Sequence, residues 1–390
     1  ANPVLLPHLL YLKKAAKFNE INSTDYTNLV SLLNPASFNH NLWKTETMDE
    51  LLSKRVQELA SNGGEPPERY IYRGSDGIAP SFPLLEVPVV DLSCFASSSP
   101  LADQELDKLR LAISSCGCFQ AINHGMSNSF LDQVRDVGKT FFALPTEEKQ
   151  KYSRAVDDTE GYGNDIVLSE HQTLDWTDRL YLTVNPEDQR KLKLWPKNPE
   201  SFRDVLHEYT VNLKILTILV LKAMAKSLNL EENCFFDQYG EEASMIARYN
   251  FYPPCPRPDL ILGIKPHADG SAITFLLQDE EVEGLQVLKD DQWFNVPLVP
   301  HALLINVGDQ VEIMSNGMFK SPMHRVVTNS ERERMTLAVF CMPEADIEIG
   351  PVEELVTEER PRMYKKIKNF VSLFFQNYQH GKRPIDTVKL

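Results

Sequence analysis

Apolar residues change their spacing along this chain. From about residue 99 to 228 they recur at helical intervals, and from about 245 to 345 they alternate every second position. Ser99–Cys116 carries apolar residues at 106, 109, 113 and 116, and Ser127–Leu144 repeats the pattern with Phe130, Leu131, Val134, Val137 and Phe141. Pro145-Thr146-Glu147-Glu148 supplies start signals for another helix. The longest helix is predicted from Pro199 to Leu228, with Phe202, Val205, Leu206, Tyr209, Leu213, Leu216, Val220 and Met224 in one stripe. Leu84–Leu92 and Cys118–Ile122 read as short strands, and a last helix is expected over Glu358–Tyr378. Between them lie several short strands separated by Gly, Pro and Asp, the spacing of an all-β sandwich or barrel. The pattern predicts an α+β fold with a β core flanked by helices, without internal repeats.

Inside the β region the period of two sorts side chains by face. In Met245–Tyr252, Arg248, Asn250 and Tyr252 share a face opposite Ala247, Tyr249 and Phe251. His267 and Asp269 point the same way. Arg334, Thr336, Ala338, Phe340 and Met342 point together, while Met335, Leu337, Val339 and Cys341 form a wholly apolar opposite set. Polar groups turned into a barrel must be paired or must bind something, which predicts a lined cavity.

Length and texture suggest four parts: an extension at 1–47, a helical and mixed region at 48–235, the β core at 236–345 and a helical tail at 346–390. The extension is rich in Asn, Ser and Leu and lacks Arg, against the Arg usage of a chloroplast-type transit peptide. It reads as a dispensable segment, with Met48 a candidate functional start. Val4–Leu12 is apolar but has no basic lead, a poor signal peptide.

Charge narrows the partners. With 40 Lys and Arg against 55 Asp and Glu, the formal charge is −15, and no basic patch stands out for nucleic acid or anionic membrane. No apolar run reaches the roughly 18 residues of a membrane span. Six scattered cysteines make no disulfide framework, and the lone Cys116-x-Cys118 pair is weak evidence for zinc. A cytoplasmic monomer acting on a small molecule is the expectation.

His267-Ala268-Asp269 is the only H-x-D or H-x-E in the chain, and it puts an imidazole and a carboxylate on one strand face. His324, in the strand-like Ser321–Val327, offers a third ligand. Two histidines and a carboxylate leave open positions suited to non-haem Fe(II), although a zinc hydrolase uses the same ligands.

The order of motifs goes further. Asn250–Pro256, Lys265–Asp269, Asp291–Pro297, Asn306–Asp309, Ser315–Gly317, His324–Thr328 and Arg334–Thr336 follow one another, after Gly117–Gly125 and Leu144–Tyr152. This set closely resembles the plant 2-oxoglutarate and Fe(II)-dependent dioxygenases, in their specialised-metabolism branch, over roughly residues 85 to 380. The resemblance implies a double-stranded β-helix (jelly-roll) core flanked by helices, with iron on His267, Asp269 and His324. It implies that Arg334 pairs with the far carboxylate of 2-oxoglutarate, a bidentate task for which a guanidinium fork suits better than Lys. Tyr252 matches a tyrosine that hydrogen-bonds the same carboxylate, and Asn250 is a further cosubstrate candidate. The usual R-x-S is R-x-T here, and the Thr336 hydroxyl can make the same bond.

The implied reaction consumes 2-oxoglutarate and O₂, with ascorbate as reductant, and yields succinate, CO₂ and an oxidised substrate. Hydroxylation and O-demethylation share that chemistry. Tyr162, Arg248, Phe340 and Met342 are the substrate-side candidates. Relatives that oxidise flavonoid cores often carry an acidic residue where Met342 stands, which weakens a flavonol-synthase reading. A Met and aromatic lining suits a flat, apolar ligand such as an alkaloid or methylated phenolic. Alternatives are the same chemistry on a hormone of gibberellin, auxin or strigolactone type, and a catalytically silent small-molecule-binding relative.

Overall fold

The computed structural model describes residues 54–78, 82–96, 100–155, 158–165, 167, 172–378 and 383–390. The expectations for the 1–47 extension and for Met48 lie outside the described residues.

Twelve described strands form two sheets: β1 (Val89–Asp91), β2 (Cys118–Ile122), β3 (Gly161–Gly163), β4 (Asp178–Asn185), β5 (Ser244–Tyr252), β6 (Leu262–His267), β7 (Ile273–Leu277), β8 (Leu285–Lys289), β9 (Gln292–Asn295), β10 (Leu303–Val307), β11 (His324–Val327) and β12 (Arg334–Met342). The larger sheet has the order β1-β2-β10-β7-β12-β5-β4-β3 and the smaller β6-β11-β8-β9. Apart from the parallel pair β1 and β2, neighbours run antiparallel. This is the α+β, double-stranded β-helix architecture that the motif order implied. Strands β1 to β4, from the region before residue 236, complete the same sheet as the core strands.

Alternation decides what each face does. In β12, Met335, Leu337, Val339 and Cys341 are buried in the main hydrophobic core, together with Leu206, Leu213 and Val220 of the long helix Phe202–Ser227. That helix follows the predicted stripe within a few residues at each end. Helix Asn128–Ala143 starts at Ser127, whose hydroxyl accepts the Phe130 N–H at 3.2 Å. It lies against β12 where Gly138 removes the side chain, since a Cβ there would sit 2.6 Å from the Tyr249 ring.

Two expectations are corrected. The strand predicted for Leu84–Leu92 shrinks to β1 plus a single bridge from Leu84 to Asn295, because Pro88 cannot donate to a ladder. The last helix spans only Phe370–Tyr378, not Glu358–Tyr378. Asn369 adopts φ 49°, which breaks helical continuity, and the preceding stretch is pinned by bridges Ile349 to Ile367 and Tyr364 to Lys389. All six cysteines are unpaired. No helix among the described residues is long and apolar enough to cross a membrane.

Gly308 joins β10 to helix Asp309–Met314, and its N–H donates to Ala272 O at 2.9 Å. A Cβ there would lie 2.0 Å from the Ser271 carbonyl oxygen, a backbone atom with no freedom to rotate away. Gly308→Ala should therefore lower the free energy of unfolding by about 1–3 kcal/mol. Chemical denaturation checks this, and an unchanged midpoint would show that the Ser271 segment yields freely.

Candidate functional site

The cavity lies between the sheets. β6 and β11 are neighbours in the smaller sheet, and their register sets His267 directly opposite His324. The two imidazole centroids are 4.2 Å apart. His267 Nδ1 faces Lys265 O at 2.9 Å and His324 Nδ1 faces Pro322 O at 3.1 Å. A carbonyl only accepts, so each Nδ1 carries the proton and each Nε2 presents a lone pair.

Asp269, two residues beyond His267, completes the group. Its Oδ2 accepts from Thr274 Oγ1 at 2.6 Å and from Asn306 Nδ2 at 2.8 Å. Its Oδ1 is left 3.6 Å from both His267 Nε2 and His324 Nε2. The Asp309 N–H donates to the Asp269 carbonyl at 2.8 Å and holds the turn. Ligand atoms of these three residues all lie within 4.8 Å of one another, the one such cluster of three or more His, Cys, Asp or Glu among the described residues.

Electrostatics favours a cation here. Burial and the neighbouring His324 hold His267 below the ordinary imidazole range, so it is neutral at pH 7. Burial alone would raise the Asp269 pKa. The two imidazoles and the Thr274 and Asn306 hydrogen bonds outweigh it and keep the carboxylate ionised. Two imidazole nitrogens and one anionic oxygen, each side chain oriented from behind, are a donor set for a divalent transition metal.

The same cavity contains Arg334, Tyr252, Asn250 and Thr336, set side by side because Arg334 pairs with Tyr252 and Thr336 with Asn250 across β12 and β5. Arg334 is 3% exposed. Its Nε donates to Val282 O at 3.1 Å, while Nη1 and Nη2 reach no hydrogen-bond partner among the described residues. The guanidinium carbon stands 5.3 Å from the centre of the Tyr252 ring. Asn250 Nδ2 donates to Thr336 Oγ1 at 3.4 Å. A buried fork with two idle donors is costly unless an acidic ligand meets it.

A second cavity opens from the first and shares Arg248, His267, Asp269 and Phe340 with it. Met342 lines this second space, with Arg179 and Tyr181 from β4 and Val371 and Phe374 from the last helix. Phe374 packs onto Gly270, where a Cβ would sit 2.5 Å from its ring. Three of the four substrate-side candidates, Arg248, Phe340 and Met342, thus line the space beside the cluster.

Tyr162 does not. It is 1% exposed in the core, edge-on to Phe141 with centroids 5.7 Å apart and with the Arg55 guanidinium 5.3 Å from its ring centre. Strand β3 pairs with β4 at the outer edge of the large sheet and turns Tyr162 toward the helices.

The sequence reading missed Thr274 and Asn306 behind Asp269, and Arg179, Tyr181, Asp165 and Asp175 in the second cavity. Lys265 joins the last two, its Nζ lying 2.9 Å from Asp165 Oδ2 and 3.1 Å from Asp175 Oδ2. Alternation in β4 held the signal for Arg179 and Tyr181, since they fall opposite Asn250 and Arg248.

The chain is similar to known proteins over most of its length. The profile of the 2OG-Fe(II) oxygenase superfamily matches residues 241–343, and that described as non-haem dioxygenase in morphine synthesis N-terminal matches 87–198. The chain is 38% identical to jasmonate-induced oxygenase 4 of Arabidopsis thaliana, over 86% of this chain and 96% of that one. It is 41% identical to codeine O-demethylase of Papaver somniferum, over 80% and 88% of the two. A crystal structure of JOX2 in complex with 2OG, Fe and JA superposes with a TM-score of 0.77 at 34% identity, covering 86% of this chain and 98% of that one.

Proposed function

Because the chain belongs to the 2OG-Fe(II) oxygenase superfamily and is a dioxygenase requiring Fe(II), 2-oxoglutarate and O₂, we propose that His267, Asp269 and His324 hold its iron. Arg334 receives the far carboxylate of 2-oxoglutarate, with Tyr252, Thr336 and Asn250 beside it. The observation that carries this reading is the idle guanidinium fork of Arg334, buried in the same cavity as the three converging ligand atoms. Iron held by His267, Asp269 and His324 would supply O₂ activation coupled to the oxidative decarboxylation of 2-oxoglutarate to succinate and CO₂.

The remaining work belongs to the protein. Lys265 O and Pro322 O fix both histidine tautomers, and Thr274 and Asn306 aim one Asp269 oxygen at the metal position. Leu276, Leu285, Val287 and Leu304 line the cosubstrate cavity and limit access of water. Phe340 lines both spaces, so a substrate in the second cavity has one end near the ligands.

The substrate is a plant small molecule, hydroxylated or O-demethylated in specialised metabolism in the cytoplasm. Similar proteins support this breadth: one is named for O-demethylation of codeine, and another is known with JA bound. Succinate formation by the purified chain with Fe(II), ascorbate and 2-oxoglutarate, with and without a plant extract, tests the reading. Extract-stimulated succinate that disappears on iron chelation is expected, with mass spectrometry showing a compound that gained oxygen or lost a methylene. Failure to bind 2-oxoglutarate would overturn it, and bound 2-oxoglutarate without any succinate would point to a substrate absent from the extract or to the catalytically silent binding relative.

A further inference from the structure

Resting on the oxygenase reading, we infer that the substrate is a carboxylic acid with an apolar body, its carboxylate held by Arg179 and Arg248 in the second cavity. Arg179 is 6% exposed and lines that cavity beside His267 and Asp269. Its Nε and Nη2 are buried with no hydrogen-bond partner among the described residues. Arg248, on the adjoining strand and paired with Tyr181, lines both cavities, and its Nε also has no partner among the described residues.

Two guanidinium groups turned into one apolar-walled space repel one another. Burial and the charge of Arg248 push the Arg179 pKa down to about 10, which still leaves it a cation at neutral pH. Asp165 and Asp175 meet the Lys265 ammonium, so Asp165 offsets only part of this repulsion and leaves Arg179 Nε and Nη2 without a hydrogen bond among the described residues. A ligand carboxylate accepts from these idle N–H groups and offsets the repulsion between the two guanidinium groups, the charge-assisted pairing for which guanidinium geometry is suited.

The rest of the lining sets the remainder of the ligand. Phe340, Met342, Val371 and Phe374 form an apolar wall, so the carbon skeleton attached to the acid is hydrophobic. This changes the expectation of a purely apolar ligand, which rested on Phe340 and Met342 alone. Arg179 belongs to a strand that precedes the core motifs.

Esterification tests the class without knowing the compound. A plant extract is divided into acidic and neutral fractions, and part of the acidic fraction is converted to methyl esters. The acidic fraction should stimulate succinate formation by the full chain and the esterified fraction should not. Arg179→Gln should raise the half-saturating concentration of the acidic fraction roughly 30-fold or more, and Arg179→Lys, which keeps the charge, should recover part of the loss. As a readout without turnover, metal-free protein is passed through gel filtration with the acidic fraction, and the retained compounds are identified by mass spectrometry. Wild-type protein should retain carboxylic acids that Arg179→Gln releases.

Equal stimulation after esterification, stimulation by the neutral fraction only, none by the acidic fraction, or retention of the same acids by Arg179→Gln would each overturn the inference. Calorimetric titration of wild-type protein with 2-oxoglutarate separates the two levels. If 2-oxoglutarate binds and the neutral fraction drives succinate formation, only the acid is wrong. If 2-oxoglutarate neither binds nor is consumed, the oxygenase reading itself fails.

Discussion

Asp269→Ala should lose iron binding and lower turnover by more than about 100-fold, because changes merely behind a metal ligand already cost about 10–100-fold. The carboxylate is the only anion in the cluster, and two imidazoles alone bind a divalent cation weakly. The fold should survive. Asp269 lies in a turn held by the backbone bond from Asp309 and packed by its neighbours. Removing the side chain leaves the Asn306 amide and Thr274 hydroxyl without their acceptor, at about 1–3 kcal/mol. Asp269→Asn isolates the effect, because its amide oxygen can still accept both bonds while no anion faces the histidines. Iron content by elemental analysis, far-ultraviolet circular dichroism and succinate formation check the pair. Wild-type iron content in both variants would remove Asp269 from the metal site.

Arg334→Ala should retain iron and raise the 2-oxoglutarate concentration for half-saturation by roughly 30-fold or more, the weight of a buried charged hydrogen bond of about 2–5 kcal/mol. The reason is visible without ligand: the guanidinium is enclosed, tied only through Nε to Val282 O, and its other two nitrogens are idle. Arg334→Lys keeps a charge but loses the fork, and should recover only part of the affinity. Calorimetric titration with 2-oxoglutarate measures this without turnover. An unchanged dissociation constant in Arg334→Ala would leave the cosubstrate carboxylate to another group.

The site was legible wherever strand alternation set polar residues against an apolar opposite face. Arg334, Thr336, Arg248, Asn250 and Tyr252 fell into place because the odd positions of β12 are uniformly apolar and allow one orientation only. His267 and Asp269 were readable from their separation by two. Thr274 and Asn306 were not, because a single Thr or Asn in a short strand resembles any surface polar residue until its partner is known. Arg179 was hidden for another reason. Its strand lies among helical segments, and only long-range pairing with β5 brings it to the cavity. Tyr162 lies away from the cavity because β3, at the edge of the large sheet, turns it toward the helices, where it packs against Phe141 and Phe142. The last helix shortened at Asn369, whose left-handed backbone leaves no periodic trace in the sequence.

The close approach of Phe374 to Gly270 has a consequence for how such a protein diversifies. A wall of the second cavity comes from the last helix, whereas the three candidate metal ligands come from the β core. Changes at positions 371 and 374 therefore reshape that wall without replacing any of the three candidate ligands. A mutant library meant to broaden the range of accepted compounds should begin in that last helix, because changes at His267 and His324 are expected to remove the metal before they alter the choice.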